Sequence, residues 1–122
     1  MKVAFLNATS LNKHIANFRD YLTNDNSYHV FGIAETRLGP EVDNNIINVP
    51  VYSVLRNDRN SRGGGILLYI RENLKAKILC FSDTTQPGNP LKPEYIFCSV
   101  WEGNFTPTLV VLVYRPLSGQ MI

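Results

Sequence analysis

The chain has 122 residues, 44% of them hydrophobic and 18% charged, with a formal net charge of +2. That is one domain's worth of polypeptide with enough apolar residues for a modest core, which argues against disorder. It has no run of apolar residues long enough to cross a bilayer, and only four apolar residues stand between Met1-Lys2 and Asn7, so neither a membrane span nor a secretory signal is expected.

Residues 2–6 read as a strand, apolar on nearly both faces. Leu11, Ile15, Phe18 and Leu22 then recur at helical spacing and predict an amphipathic helix near residues 11–23, with Thr9 or Ser10 as N-cap. Asn24 to Ser27 supply turn chemistry, and residues 28–34 form the next strand. A strand-helix-strand unit with a right-handed crossover makes the two strands parallel. Their carboxyl ends, Asn7 and Glu35, therefore belong at the same edge of the sheet. Residues 37–49 are polar and irregular and read as a surface loop.

Further strands are expected at residues 51–56, 66–70, 77–81, 95–101 and 108–114, with turns or loops at 57–62 and 82–93. The last two strands, joined across Glu102 to Phe105, suggest an antiparallel hairpin, and both are apolar on either face. Gly63-Gly64-Gly65 is not a phosphate loop: no Lys-Ser/Thr follows, and a strand comes next, so no helix N-terminus is offered to an anion. A glycine-rich strand entry with close backbone packing fits better.

Three polar residues end apolar runs: Asn7, Glu35 and Tyr114. Ligands in open α/β sheets bind beyond the carboxyl ends of strands, so these three are candidates for one site. Six basic residues lie between Arg56 and Lys77 (Arg56, Arg59, Arg62, Arg71, Lys75 and Lys77) against Asp58 and Glu72. Such an excess suits a phosphate backbone or, more plainly, a solvated face. Cys80 and Cys98 are expected to be reduced thiols in an intracellular setting, nuclear or cytoplasmic, with Cys98 a buried small hydrophobe. Neither His14 nor His29 has metal-ligand spacing to another candidate ligand.

The segments Phe5-Leu6-Asn7-Ala8-Thr9-Ser10-Leu11, Ile33-Ala34-Glu35-Thr36-Arg37-Leu38, Arg62-Gly63-Gly64-Gly65-Ile66 and Val113-Tyr114-Arg115-Pro116, in this order, resemble the N-terminal half of the exonuclease-endonuclease-phosphatase superfamily. The wording is most similar to the apurinic-endonuclease-like domain of non-LTR retrotransposons. The resemblance implies an α/β sandwich, with this chain forming about six strands of one mixed sheet and one clear helix. It implies that Glu35 binds a catalytic Mg²⁺, that Asn7 orders the site beside the metal, and that Tyr114 contacts the scissile phosphate of DNA. Arg37, Arg62 and Arg115 would be further phosphate contacts.

Leu117 stands where retroelement members often carry a second proline. Residues 1–122 contain neither the Gly-Asp-Phe-Asn-like nor the Ser-Asp-His-like motif of the family's C-terminal half. The expectation is a partial domain, inactive alone, whose inner sheet face, including part of the runs 66–70, 95–101 and 109–113, meets water and is prone to self-association. The alternative is a non-catalytic nucleic-acid-binding or decayed remnant. A phosphoesterase acting on inositol phosphates or a sphingolipid is a more distant third reading.

Overall fold

The computed structural model describes residues 1–83 and 92–115. The elements in chain order are β1 (Val3–Asn7), α1 (Leu11–Asn24), β2 (Val30–Ala34), α2 (Asn44–Ile47), β3 (Tyr52–Asn57), β4 (Ile66–Arg71), β5 (Lys75–Phe81), β6 (Glu94–Trp101) and β7 (Thr108–Tyr114). Pro87, Pro90, Pro116 and Leu117 lie outside the described residues.

Among the described residues seven strands form two sheets, one of four strands in the order β1-β2-β4-β3 and one of three in the order β5-β6-β7. This corrects the expected single mixed sheet of about six strands. β4 is hydrogen-bonded to β2 on one side and β3 on the other, so both its edges are taken. The chain makes a tight turn after Arg71 and buries Leu74. β5 cannot pair with β4 and instead pairs with β6 in the second sheet.

The strand-helix-strand unit forms as the spacing predicts. β1 and β2 are parallel, with Asn7 opposite Ala34, and α1 crosses over between them. Leu11, Phe18 and Leu22 are buried and Ile15 packs beside them, so the helical stripe is the face that meets the sheet. Ser10 occupies the N-cap position, but its side chain makes no capping bond.

The four-stranded sheet is covered on both sides. Phe31 and Ile33 of β2, with Leu67 and Tyr69 of β4, pack under α1 together with Leu38, Ile47 and Val49. The alternate residues, Val30 and Ala34 of β2 and Ile66, Leu68 and Ile70 of β4, meet Ile96, Cys98, Val100, Val110 and Leu112 of the second sheet. The period of two along each strand assigns every second residue to one core or the other. Of the runs expected to face water in part, Ile66 to Ile70 are buried throughout, which corrects that expectation, whereas Leu109, Val111 and Val113 are exposed. The layers run helix, four-stranded sheet, three-stranded sheet.

No helix among the described residues is long and apolar enough to cross a membrane.

Candidate functional site

Parallel and antiparallel pairing fix which residues share an edge. Asn7 ends β1, Glu35 follows β2, Ile66 begins β4 opposite Ala34, and Asn57 ends β3 opposite Ile66. In the second sheet Tyr114 ends β7 opposite Glu94, the first residue of β6.

At this edge the Tyr114 hydroxyl donates to Glu35 Oε1 at 2.5 Å. Arg37 Nε reaches Glu35 Oε2 at 3.3 Å, an ion pair in which the carboxylate side chain is only 15% exposed. Burial first, then the hydrogen bond and charge of Glu35, push the Tyr114 phenol up to about 12, while a side-chain hydrogen bond with Asn7 works the other way. The structure thus brings Asn7, Glu35 and Tyr114 together from three separate segments. Asn7 Oδ1 also accepts from the Thr9 amide at 3.2 Å and lies near its hydroxyl at 3.3 Å.

The backbone around Glu35 is strapped on two sides. The amides of Ser10 and Leu11, at the start of α1, donate to the carbonyls of Glu35 and Thr36 at 2.8 and 2.9 Å. From the other side, the amides of Thr36 and Arg37 donate to the carbonyls of Gly65 and Gly64 at 3.1 and 2.9 Å. Glu35 and Arg37 both adopt positive φ, at 55° and 52°, which costs energy for non-glycine residues and persists only when neighbours hold the backbone. The glycine run is the other half of this crossing. Gly65 has φ of 90°, and a Cβ there would lie 2.3 Å from Thr36 Oγ1.

A carboxylate that the sequence reading did not single out completes the arrangement. Glu94 is buried, and the Gly65 amide donates to both its oxygens, at 3.2 and 3.1 Å. Burial raises its pKa, with the Gly65 amide and Arg59 acting against that rise. Glu94 precedes a strand that reads as uniformly apolar. The available signal was its position at the start of that strand, which an antiparallel hairpin sets opposite the end of β7.

The basic residues divide. Arg56 is committed to structure: it pairs with Asp58 at 2.7 Å and donates to the carbonyls of Val42 and Gly39. Arg59 sits against Gly64 and Glu94 near the candidate edge. Arg62 is exposed in the turn before β4, and Arg115 is exposed one residue beyond Tyr114. Arg71 ends β4 and Lys75 begins β5, both at the opposite end of their sheets. The six charges are not one phosphate-facing surface, because β4 and β5 carry their charges away from the edge where Arg56, Arg59 and Arg62 stand. Cys80 is exposed and Cys98 buried, both free.

Among the described residues no group of three or more His, Cys, Asp or Glu side chains could hold a metal ion. The carboxylate turned to Tyr114 at this edge is Glu35, while Asn7 Oδ1 accepts from the Thr9 amide. Mg²⁺ keeps several waters and is commonly held by one or two carboxylates, so this donor set fits a largely hydrated Mg²⁺ and not an all-protein cage.

No family model matches the chain, and no curated protein matches it by sequence. Among solved structures the chain is similar to AP endonuclease LMAP from Leishmania major, with a TM-score of 0.58 and 14% sequence identity. The match covers 95% of this chain and 39% of that one. The chain therefore shares its fold with part of an AP endonuclease and spans well under half of that protein's length.

Proposed function

We propose that residues 1–122 are part of an endonuclease domain that acts on the phosphodiester backbone of DNA, of the kind carried by non-LTR retrotransposons, and that this portion alone does not cleave. The observation that carries the reading is the Tyr114–Glu35 hydrogen bond with Asn7 alongside, at the strand-end edge of a fold shared with an AP endonuclease. The retroelement assignment rests on the wording of the four sequence motifs.

In this reading Glu35 would hold Mg²⁺, with Asn7 ordering the site beside it by hydrogen bonding, and the ion when bound supplies charge neutralisation to phosphate oxygens. Tyr114 keeps its proton at neutral pH, because its phenol titrates near 12. It is therefore a hydrogen-bond donor, to Glu35 or to a phosphate oxygen, and not a base. Arg37, already paired with Glu35, orients the carboxylate, and Arg37, Arg62 and Arg115 would meet the phosphate backbone. Neither of these two carboxylates is arranged as a base for water: Glu94 is turned onto Gly65, and Glu35 onto Tyr114 and Arg37. Losing members of a concerted site collapses catalysis non-additively, which is why the chain alone is expected to be silent.

The test uses the purified chain with a fluorescently labelled DNA duplex and Mg²⁺. The expected result is salt-sensitive binding by anisotropy, weakened by the Arg37→Ala and Arg62→Ala pair, with no nicking of supercoiled plasmid. Absence of binding at low salt would overturn the DNA assignment. Nicking abolished by Glu35→Ala would overturn the inactive reading. Binding that is indifferent both to Mg²⁺ and to Glu35→Gln would favour the alternative, a non-catalytic nucleic-acid-binding remnant.

A further inference from the structure

Glu94 opens β6 on the strand's inward face, ahead of Ile96, Cys98 and Val100, which fill the core between the sheets. It is 5% exposed. A carboxylate buried at the head of an apolar face is costly unless hydrogen bonds offset its lost hydration. Both its oxygens accept from one group, the Gly65 amide. The approach requires glycine on either side of that amide. A Cβ at Gly64 would lie 3.0 Å from each Glu94 oxygen, and one at Gly65 would lie 2.3 Å from Thr36 Oγ1.

The amide that Glu94 holds and the carbonyl that holds Arg37 belong to the same peptide unit. The Gly64 carbonyl accepts from the Arg37 amide at 2.9 Å, and the Gly65 N–H of this planar, trans unit points the opposite way, to Glu94. Arg37 amide, Gly64–Gly65 peptide and Glu94 carboxylate thus form one hydrogen-bonded line. Bonds in such a line polarise one another, so a carboxylate acceptor at one end strengthens the bond at the other. One position along, the Gly65 carbonyl takes the Thr36 amide at 3.1 Å. On the far side of the same backbone the Ser10 and Leu11 amides of α1 hold the carbonyls of Glu35 and Thr36. Glu35 and Arg37, at φ of 55° and 52°, are strained conformers that persist only when held from both sides.

We infer that Glu94 is a positioning residue for Glu35: from the second sheet it fixes the Gly64–Gly65 peptide, that peptide fixes the Arg37 backbone, and the Arg37 guanidinium then holds Glu35 Oε2. Its functional weight rests on the reading of Glu35 as the carboxylate that holds Mg²⁺. The second sheet reaches Glu35 by two routes, through the Tyr114 hydroxyl to Oε1 and through Glu94 and the glycine strap to Oε2. Glu94 and Tyr114 stand opposite each other in β6 and β7, so both routes start from one rung of that sheet. Outer hydrogen bonds of this kind set the orientation of a metal-binding carboxylate and through it the affinity of the site.

The test compares Glu94→Gln, which keeps an acceptor oxygen, with Glu94→Ala, which removes it at the same net charge. The first readout is amide hydrogen exchange by NMR. Glu94→Ala is expected to speed exchange of the Thr36 and Arg37 amides about tenfold relative to the strand amides of Ile33 and Leu68, and Glu94→Gln to restore most of the protection. The second readout is Mn²⁺ affinity by spin resonance, Mn²⁺ taking the same oxygen ligands as Mg²⁺. Glu94→Ala is expected to weaken it severalfold and Glu94→Gln to hold it near wild type. If Glu94→Ala does not fold, Glu94→Asp, with its reach shortened by one methylene, takes its place. Exchange that rises equally at positions 33, 36, 37 and 68 assigns Glu94 to general stability and overturns the inference. So does a Glu94→Gln variant no better protected at Thr36 and Arg37 than Glu94→Ala. A wild-type chain that binds no Mn²⁺ overturns the metal reading of Glu35 instead, and the exchange pattern still decides whether Glu94 positions that backbone.

Discussion

The Tyr114 hydroxyl and the Glu35 carboxylate, 79 positions apart in the chain, meet at 2.5 Å and clasp the two sheets together at one edge. Glu35 leaves the four-stranded sheet and Tyr114 closes the three-stranded one, so this hydrogen bond spans the layers where the strands end, as the Gly65 amide does to Glu94. A hydrogen bond to a charged acceptor contributes about 1.5–3 kcal/mol when well made.

This clasp has an alkaline signature. Burial and Glu35 raise the Tyr114 phenol from 10.0 to about 12 in the folded chain. The protonated form is the one the fold prefers, so the associated stability is fully present below the unfolded value near 10. It is lost as pH rises through the folded value. Denaturant unfolding of wild type and Tyr114→Phe should differ by a constant amount at neutral pH, and that difference should shrink across this window. Glu35→Gln should lower the phenol's titration midpoint. A pH-independent difference between wild type and Tyr114→Phe would contradict the assignment.

Glu94 should behave oppositely to a paired surface carboxylate. Its pKa is raised by burial, so the fold favours the protonated form. The contribution is favourable at acid pH and is lost as pH rises from the unfolded value through the folded one. Glu94→Gln keeps an acceptor for the Gly65 amide and removes the buried charge. It is expected to equal or exceed wild-type stability at pH 7, with the advantage fading in acid. Glu94→Ala leaves that amide unsatisfied and should cost about 1–3 kcal/mol. Unfolding curves at acid and neutral pH distinguish the two substitutions.

The glycines before β4 are not equivalent. Gly65→Ala meets both a φ of 90° and a contact of 2.3 Å with Thr36 Oγ1, whereas a Cβ at Gly63 would meet nothing within 4 Å. Gly65→Ala is expected to destabilise by about 2–3 kcal/mol, from backbone strain and displacement of the Thr36 strap. Gly63→Ala should fall within about 0.5 kcal/mol of wild type. Because the strap carries Glu35, Gly65→Ala should also broaden or shift the Tyr114 titration.

The strand-helix-strand start was legible because its pattern is unambiguous: a helical stripe at Leu11, Ile15, Phe18 and Leu22 between two short apolar runs allows one crossover. That alone puts Asn7 and Glu35 at one edge. The division into two sheets was not legible. β2 and β4 are buried on both faces and β6 and β7 are apolar on both, so no alternation marks which sheet a strand joins. The decisive fact, that β4 has no free edge for β5, is a matter of pairing and not of local pattern. Glu94 escaped notice for a related reason. Its role depends on a glycine amide 29 positions away, and nothing in the local sequence distinguishes a buried acceptor from a solvated carboxylate at a strand start.

The arginines separate structure from proposed substrate contact. Arg56 is 15% exposed and ties β3 to the carbonyls of Val42 and Gly39 and to Asp58, itself 16% exposed. Arg56→Ala strands a nearly buried carboxylate and two carbonyls, and is expected to cost about 3 kcal/mol. Arg56→Lys should recover little of it, because an ammonium cannot span the same fork of acceptors. Arg62 is exposed, and its backbone amide donates to Asn60 Oδ1 at 2.9 Å. Arg62→Ala should therefore leave stability within about 0.5 kcal/mol of wild type. If Arg62 meets a phosphate, it should also reduce the slope of log affinity against log salt by about one. Paired measurements of unfolding and of duplex binding across a salt series check both arms. An Arg62→Ala variant that binds DNA with the wild-type salt slope would remove that residue from the interface, and a stable Arg56→Ala would mean the 37–49 loop is anchored by other contacts.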